Sequence, residues 1–268
     1  MKLTVIGAGN MASALVNGIL KSGMLEPENI NITDTDAGKL TVMKDKGVNT
    51  YSDNKEAVKN SDIILLAVKP NIYPAVLKEI SGEEAVKNAV TVTIAPGISI
   101  ATVKETLGFD AKVVRTMPNT PAMAGAGMTA LCYESPVTED DFENVRKLFA
   151  TVGECELMSE KLVSASVSVS GSSPAYVYML IEAMADAAVY DGMPRATAYK
   201  MAAQSVLGSA KMVLETGKHP GELKDMVCSP GGTTIGAVRV LEEEGFRSAV
   251  INAMIECNRI ALSMGKNK

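Results

Sequence analysis

The stretch Leu3-Thr4-Val5-Ile6-Gly7-Ala8-Gly9-Asn10-Met11-Ala12 decides the fold. Leu3 to Ile6 reads as a buried strand; Met11, Leu15 and Ile19 then fall on one face of a helix, and Gly23 is placed to end it. A glycine-rich turn between a strand and a helix is the setting in which a G-x-G-x-x-G/A pattern points to a dinucleotide. Gly7 makes the tight turn, Gly9 lets the backbone approach a pyrophosphate, and Ala12 keeps the helix close to the sheet. The anion then rests on the unpaired N–H groups that open the helix. Ile6, Gly7, Gly9, Asn10 and Met11 are therefore candidate cofactor contacts.

Outward from this turn, short β-type runs alternate with helical patterns, as in parallel βαβ units. Further strands are expected at 30–33, 63–68, 90–95, 112–115, 129–133 and 154–158. Helices are expected near 37–46, 54–59, 73–80, 100–107 and 139–150. Ligands of such open sheets bind outside the carboxyl ends of the strands. Those ends carry Asp34, then Ala67-Val68-Lys69-Pro70, then Ala95-Pro96-Gly97. Asp34 stands where an adenosine ribose is met, and a carboxylate there favours a free 2′-hydroxyl over a 2′-phosphate. The loop has no arginine for such a phosphate, although Lys39 could approach one. NADH is thus expected to serve at least as well as NADPH.

From about Leu162 the β-type runs disappear. Long Ala/Met/Val-rich helical segments follow, broken at 192–194, 217–221 and 229–232. The expected division is a dinucleotide-binding domain over 1–160 and an all-helical domain over 161–268. Met179, Leu180, Ala183, Met184, Ala187 and Ala188 leave little polar face on the first of these helices, and so small a domain gives it few neighbours, so a dimer interface is expected. Two Ser/Gly-rich segments, Ser170 to Pro174 and Ser229 to Thr234, read as helix N-termini. In the second, capping alone does not require Gly231 and Gly232 together, whereas backbone N–H groups holding a small carboxylate do.

Composition narrows the function classes. The 268 residues are 47% apolar and 21% charged with a formal net charge of -5, an ordinary globular balance with no basic field for nucleic acid. The start is too weakly apolar to read as a signal peptide, and no run approaches the ~20 apolar residues of a membrane helix. Cys132, Cys155, Cys228 and Cys257 are scattered without a Cys-x-x-Cys pair, and His219 is the single histidine, so no metal site is expected. A cytoplasmic protein with reduced thiols is the reading.

The segments Ile6–Ala12, Ala67–Pro70, Arg115–Pro121, Val169–Tyr176 and Asp225–Gly236 together resemble the pyrroline-5-carboxylate reductase family. The resemblance implies an α/β fold: an N-terminal Rossmann-type doubly wound sheet plus a C-terminal all-helical dimerisation domain, with homodimers that can build a homodecamer. It implies reduction of 1-pyrroline-5-carboxylate to L-proline by NADPH or NADH. It places Asn54, Ala67, Lys69, Pro70, Ala95, Gly97 and Asn119 beside the dinucleotide. Ser229, Gly231, Gly232 and Thr233 would hold the substrate carboxylate, and the Thr234 hydroxyl would face the ring nitrogen as the catalytic group. Ala12, where glycine is usual, and Asp34 depart from the pattern. Two other readings are a β-hydroxyacid dehydrogenase-like oxidoreductase, which needs a lysine on the helix from Ser173 to Tyr190 that is missing here, and a non-catalytic NAD(P)-sensing binding protein.

Overall fold

The computed structural model describes residues 1–264. It has two compact units, Met1–Ser172 and Ser173–Glu256, with the described residues from Cys257 onward grouped with the first.

The first unit is built on one sheet. Its strands are β1 (Leu3–Ile6), β2 (Ile30–Thr33), β3 (Asn49–Tyr51), β4 (Ile63–Leu66), β5 (Val90–Thr93), β6 (Lys112–Met117), β7 (Gly127–Tyr133) and β8 (Gly153–Leu157). They lie in the order β3-β2-β1-β4-β5-β6-β7-β8. All neighbours are parallel except β6 and β7. Reversal of strand order on either side of β1 is what creates a crevice at its carboxyl end. The helices are α1 (Asn10–Ser22), α2 (Ala37–Lys44), α3 (Asn54–Val58), α4 (Tyr73–Ile80), α5 (Glu84–Asn88), α6 (Ile100–Leu107), α7 (Glu139–Ala150) and α8 (Glu160–Ser166).

Alternation along the strands sorts the core into two layers. Leu3, Val5, Ile63 and Leu65 pack with Leu15 and Ile19 of α1 and Val145 and Phe149 of α7. Ile6, Ile64 and Leu66 pack with Val76 and Leu77 of α4 and Val103 of α6. Strands covered on both faces need continuous apolar runs, and Ile63-Ile64-Leu65-Leu66 is one. Two polar residues interrupt β2, and their groups are matched. Asn31 Nδ2 donates to Ala57 O at 2.9 Å, and the Thr33 hydroxyl bonds Asn54 Oδ1 at 2.7 Å.

The units divide at Ser172/Ser173, beyond the 160/161 division that the change of sequence pattern suggests. The physical reason lies in α8. Val163 is buried in the sheet's second core layer, and Glu160 Oε1 accepts from Arg115 Nη1 of β6 at 3.2 Å and from the Ile100 N–H at 2.8 Å. This helix belongs to the sheet although its sequence already reads as helical domain. A π-helical turn, Val167–Gly171, follows.

The second unit is helical: α9 (Ser173–Tyr190), α10 (Arg195–Thr216), α11 (Pro220–Met226), α12 (Thr233–Glu243) and most of α13 (Phe246–Met264). Ala185, Ala198 and Ala202 are the buried residues of the α9–α10 pair, so the contact between these helices rests on small side chains. Large apolar side chains such as Met179, Leu207, Leu241, Ile251 and Ile255 are exposed. No helix among the described residues is long and apolar enough to cross a membrane.

Candidate functional site

The turn after β1 is held by backbone bonds, Gly7 N–H to Thr33 O and Ala67 N–H to Ile6 O, each 2.8 Å. Gly7 has φ +102°, and a Cβ there would stand 2.7 Å from Ala67 O, so only glycine fits. Gly9 is different. Its backbone is extended, and a Cβ would meet nothing within 4 Å. It is the N-cap of α1 without a side-chain cap, and the first turn of the helix has no acidic residue. The N–H groups of Asn10 and Met11, which are not buried, thus stand beside open space at the positive end of a helix, an arrangement suited to a pyrophosphate.

A cleft of about 400 Å³ runs from this turn along the strand ends. It is lined by Ile6, Gly7, Gly9, Asp34, Asn54, Ala67 and Lys69 of the expected set, and also by Thr33, Thr35, Lys39, Ser52, Val68, Ile72 and Val76. Asp34 Oδ2 accepts the Ala8 N–H at 2.8 Å and stands 3.4 Å from Lys39 Nζ, while Oδ1 accepts the Asp36 N–H at 2.8 Å. Burial pushes the Asp34 carboxyl up, but those two N–H bonds and the Lys39 ammonium outweigh it and hold its pKa below the ordinary 3.8. A lowered carboxyl pKa stabilises the fold above 3.8, and the contribution fades as pH falls through the lower folded value. At neutral pH Asp34 is therefore a carboxylate, with the Lys39 ammonium beside it.

Asn10, Met11, Pro70, Ala95, Gly97 and Asn119 do not line this cleft. The Asn119 carboxamide is committed inside the unit: Nδ2 donates to Ser170 O and Oδ1 accepts the Met128 N–H, both at 2.9 Å. Ala95 and Pro70 flank an anchor that sequence reading missed. Tyr73, fully buried, donates to Leu66 O at 2.6 Å and accepts from Thr93 Oγ1 at 3.1 Å and from the Ile94 N–H at 3.3 Å. It pins the carboxyl ends of β4 and β5 behind the cleft, and burial pushes its hydroxyl up to about 12. Replacing Tyr73 by phenylalanine leaves a buried carbonyl and N–H without this partner, so a loss of about 1–3 kcal/mol in denaturant unfolding is expected, the same at pH 6 and pH 9.

In the second unit, Ser229, Gly231, Gly232, Thr233 and Thr234 form one turn and the start of α12. Gly231 has φ +68°, and the Gly232 N–H bonds Ser229 O at 3.0 Å. Gly232 is the N-cap, extended and without a side-chain cap, and a Cβ on it would lie 2.5 Å from Ser229 Oγ. The first turn of α12 contains no acidic residue, and Thr233 and Thr234 bring two exposed hydroxyls to the same place. Bare N–H groups with hydroxyls beside them suit a small carboxylate.

The other Ser/Gly segment is not such a receptor. Ser172 is helical, its N–H bonds Val167 O at 2.8 Å, and the Ser170 hydroxyl bonds Ser166 O, because the π-helical turn carries the chain into α9 without an open N-terminus. His219 is exposed and caps α11, its Nδ1 accepting the Gly221 N–H at 3.0 Å.

A doubly wound sheet with an open glycine turn and a carboxylate just after its second strand, followed in the chain by a helical unit, is the architecture of two-domain nicotinamide-dinucleotide oxidoreductases. Two family models match: pyrroline-5-carboxylate reductase dimerisation over residues 160–264, and NADP oxidoreductase, coenzyme F420-dependent, over residues 2–97. A pyrroline-5-carboxylate reductase of Escherichia coli is 50% identical over 267 residues, 99% of each chain. The structure of a pyrroline-5-carboxylate reductase from Coxiella burnetii superposes with a TM-score of 0.91 at 33% identity, covering 98% of each chain. That of the Plasmodium falciparum enzyme with NADP bound gives 0.89 at 32% identity, covering 99% of this chain and 98% of the other. The chain belongs to the pyrroline-5-carboxylate reductase family. Its exposed helical faces are accordingly those of a self-associating protein.

Proposed function

We propose that this chain reduces 1-pyrroline-5-carboxylate to L-proline with NADH or NADPH, the last step of proline biosynthesis. The observation that carries the reading is an uncapped helix N-terminus at the start of α12 in the same chain as a glycine turn left open at Gly9. The dinucleotide, when bound, supplies the hydride. The chain's own residues hold and orient. The N–H groups that open α1 hold the pyrophosphate, and Asp34 accepts from the ribose. Ser229, Gly231, Gly232 and Thr233 hold the substrate carboxylate through N–H and hydroxyl donors. The Thr234 hydroxyl hydrogen-bonds the ring nitrogen.

A protonated cyclic imine that accepts a hydride becomes a neutral amine, so no alkoxide forms and no strong general acid is needed. The catalytic gain comes mainly from orientation. This agrees with the residues at hand: α9 contains no lysine, and its Asp186 is paired with Arg195. A β-hydroxyacid dehydrogenase would need a general acid there. An NAD(P)-sensing binding protein would have no use for an uncapped second receptor. The assembly we propose is a homodimer through the helical unit, able to build a decamer, in the cytoplasm.

Substrate-dependent oxidation of NADH and NADPH, run side by side, tests the reading. Turnover with 1-pyrroline-5-carboxylate is expected, and none with β-hydroxyacids and the oxidised cofactor. A Thr234→Ala variant is expected to lose about tenfold or more in kcat with little change in KM.

A further inference from the structure

We infer that Tyr73 is a positioning residue for the nicotinamide: its hydroxyl, set into the sheet as a side-chain rung, holds β4 and β5 open at the carboxyl ends where that half of the dinucleotide rests. This rests on the dinucleotide reading of the cleft and adds a residue outside its lining that shapes the seat of the ring.

The ladder between β4 and β5 shows where the hydroxyl enters. The two strands are parallel with Ile63 opposite Val90, and the Val90 N–H bonds Asp62 O at 2.9 Å. That pattern repeats every second residue, so the rung after Val92 on Ile64 O would join the Ile94 N–H to Leu66 O. Instead, the Ile94 N–H donates to Tyr73 Oη at 3.3 Å, and Tyr73 Oη donates to Leu66 O at 2.6 Å. A phenol oxygen stands between the strands. The apolar runs continue to Val68 and Ala95, yet pairing ends at Leu66 and Thr93 for this reason.

Both sides of the opening are fixed. The peptide between Leu66 and Ala67 is held at its oxygen by Tyr73 and at its N–H by Ile6 O, and Ala67, Val68 and Lys69 go on to line the cleft. On the other side, Thr93 Oγ1 donates to Tyr73 Oη at 3.1 Å and accepts the Ala95 N–H at 3.4 Å. The bonds run in one direction, from the Ala95 N–H through Thr93 and Tyr73 to Leu66 O, and members of such a chain strengthen one another. With the adenosine half beside Asp34 after β2, a dinucleotide that crosses the turn at β1 lays its other half over β4 and β5. Phenylalanine at position 73 removes the rung and lets the Ile94 N–H close on Leu66 O, which narrows that seat.

The test compares Tyr73→Phe and Thr93→Val, which keep shape and delete a hydroxyl from the chain of bonds, with Ile80→Val, which loosens the same helix in the same core layer and leaves the chain of bonds intact. For each variant, thermal unfolding first shows a folded chain at the assay temperature. Then kcat with 1-pyrroline-5-carboxylate is measured, together with dissociation constants for NADH and for ADP-ribose, which lacks the ring. Tyr73→Phe is expected to lower kcat about tenfold and to weaken NADH about threefold with ADP-ribose unchanged, and Thr93→Val to act the same way but less. Ile80→Val is expected to match the unaltered chain. Unaltered kcat and an unaltered ratio of NADH to ADP-ribose affinity in both hydroxyl variants, or an equal loss in Ile80→Val, overturns the inference. Because binding is read without turnover, a selective loss of NADH over ADP-ribose in a chain that leaves pyrroline-5-carboxylate unreduced would support the rung and refute the reductase reading.

Discussion

Gly9→Val is expected to abolish measurable dinucleotide binding while leaving the melting temperature nearly unchanged. The two halves of that statement come from the same geometry. Gly9 has an ordinary extended backbone and empty space where its Cβ would be, so the folded chain meets no clash when a side chain is added. Losing glycine at an N-cap that makes no side-chain cap bond costs less than about 1 kcal/mol. The empty space is where we propose that the pyrophosphate binds, however, and two γ-methyl groups would fill it and cover the N–H groups of Asn10 and Met11. Loss of charge-assisted bonds worth about 1.5–3 kcal/mol each is a 100-fold or greater loss of affinity once two are gone. Gly7→Ala is the control with the opposite signature. At φ +102° and 2.7 Å from Ala67 O it strains the backbone and collides with it, so it should destabilise the fold by about 3 kcal/mol or more. Fluorescence titration with NADH and thermal unfolding of both variants check the contrast. Retained binding by Gly9→Val would mean that the pyrophosphate lies elsewhere.

The sheet was legible wherever a strand is covered on both faces. Leu3–Ile6 and Ile63–Leu66 are unbroken apolar runs, and Gly7 and Gly9 differ from each other as the fingerprint requires, one for its φ and one for its missing side chain. Brevity hid two short elements. Asn49-Thr50-Tyr51 is a three-residue edge strand of half-buried residues, so nothing in its pattern marks it, and the cleft wall it supplies through Ser52 went unread with it. Glu84–Asn88 is one helical turn and more, too short for a period to show.

At the candidate site, the residues singled out from sequence are those whose type is constrained by backbone or charge, and those placed by tertiary packing are not among them. Asp34 was visible because it ends β2. Tyr73 was not: its hydroxyl reaches back across the ends of two strands, a relation that no local spacing encodes. Ser170 to Pro174 misled because serine and proline at a helix start look alike whether the preceding residue is extended or, as here at Ser172, already helical. The open helix start at Gly232 lies where the two adjacent glycines before a helical period place it.

Thr233→Pro is expected to lower kcat/KM for 1-pyrroline-5-carboxylate about 30-fold or more, almost wholly through KM, without loosening α12. Thr233 is the first residue of that helix, a position where the N–H has no partner within the helix and where the fixed φ of proline is already suitable. The residue before it, Gly232, is extended at φ -79° and ψ 171°, as a residue preceding proline must be. The substitution therefore deletes one backbone donor, together with the Thr233 hydroxyl, and changes little else in the backbone. Thr233→Ala removes the hydroxyl but keeps the N–H, so the difference between the two variants isolates the backbone donor. One bond to a carboxylate, worth about 1.5–3 kcal/mol, corresponds to roughly 10- to 150-fold in KM if it is made equally in the ground and transition states. Dinucleotide affinity, read by fluorescence, should be the same in both variants if the pyrophosphate is held at α1, as proposed. If Thr233→Pro and Thr233→Ala share one KM for the pyrroline substrate and both match the unaltered chain, the carboxylate is not held by the N-terminus of α12. The function of the Ser229–Thr234 turn would then have to be sought in its hydroxyls at Ser229 and Thr234.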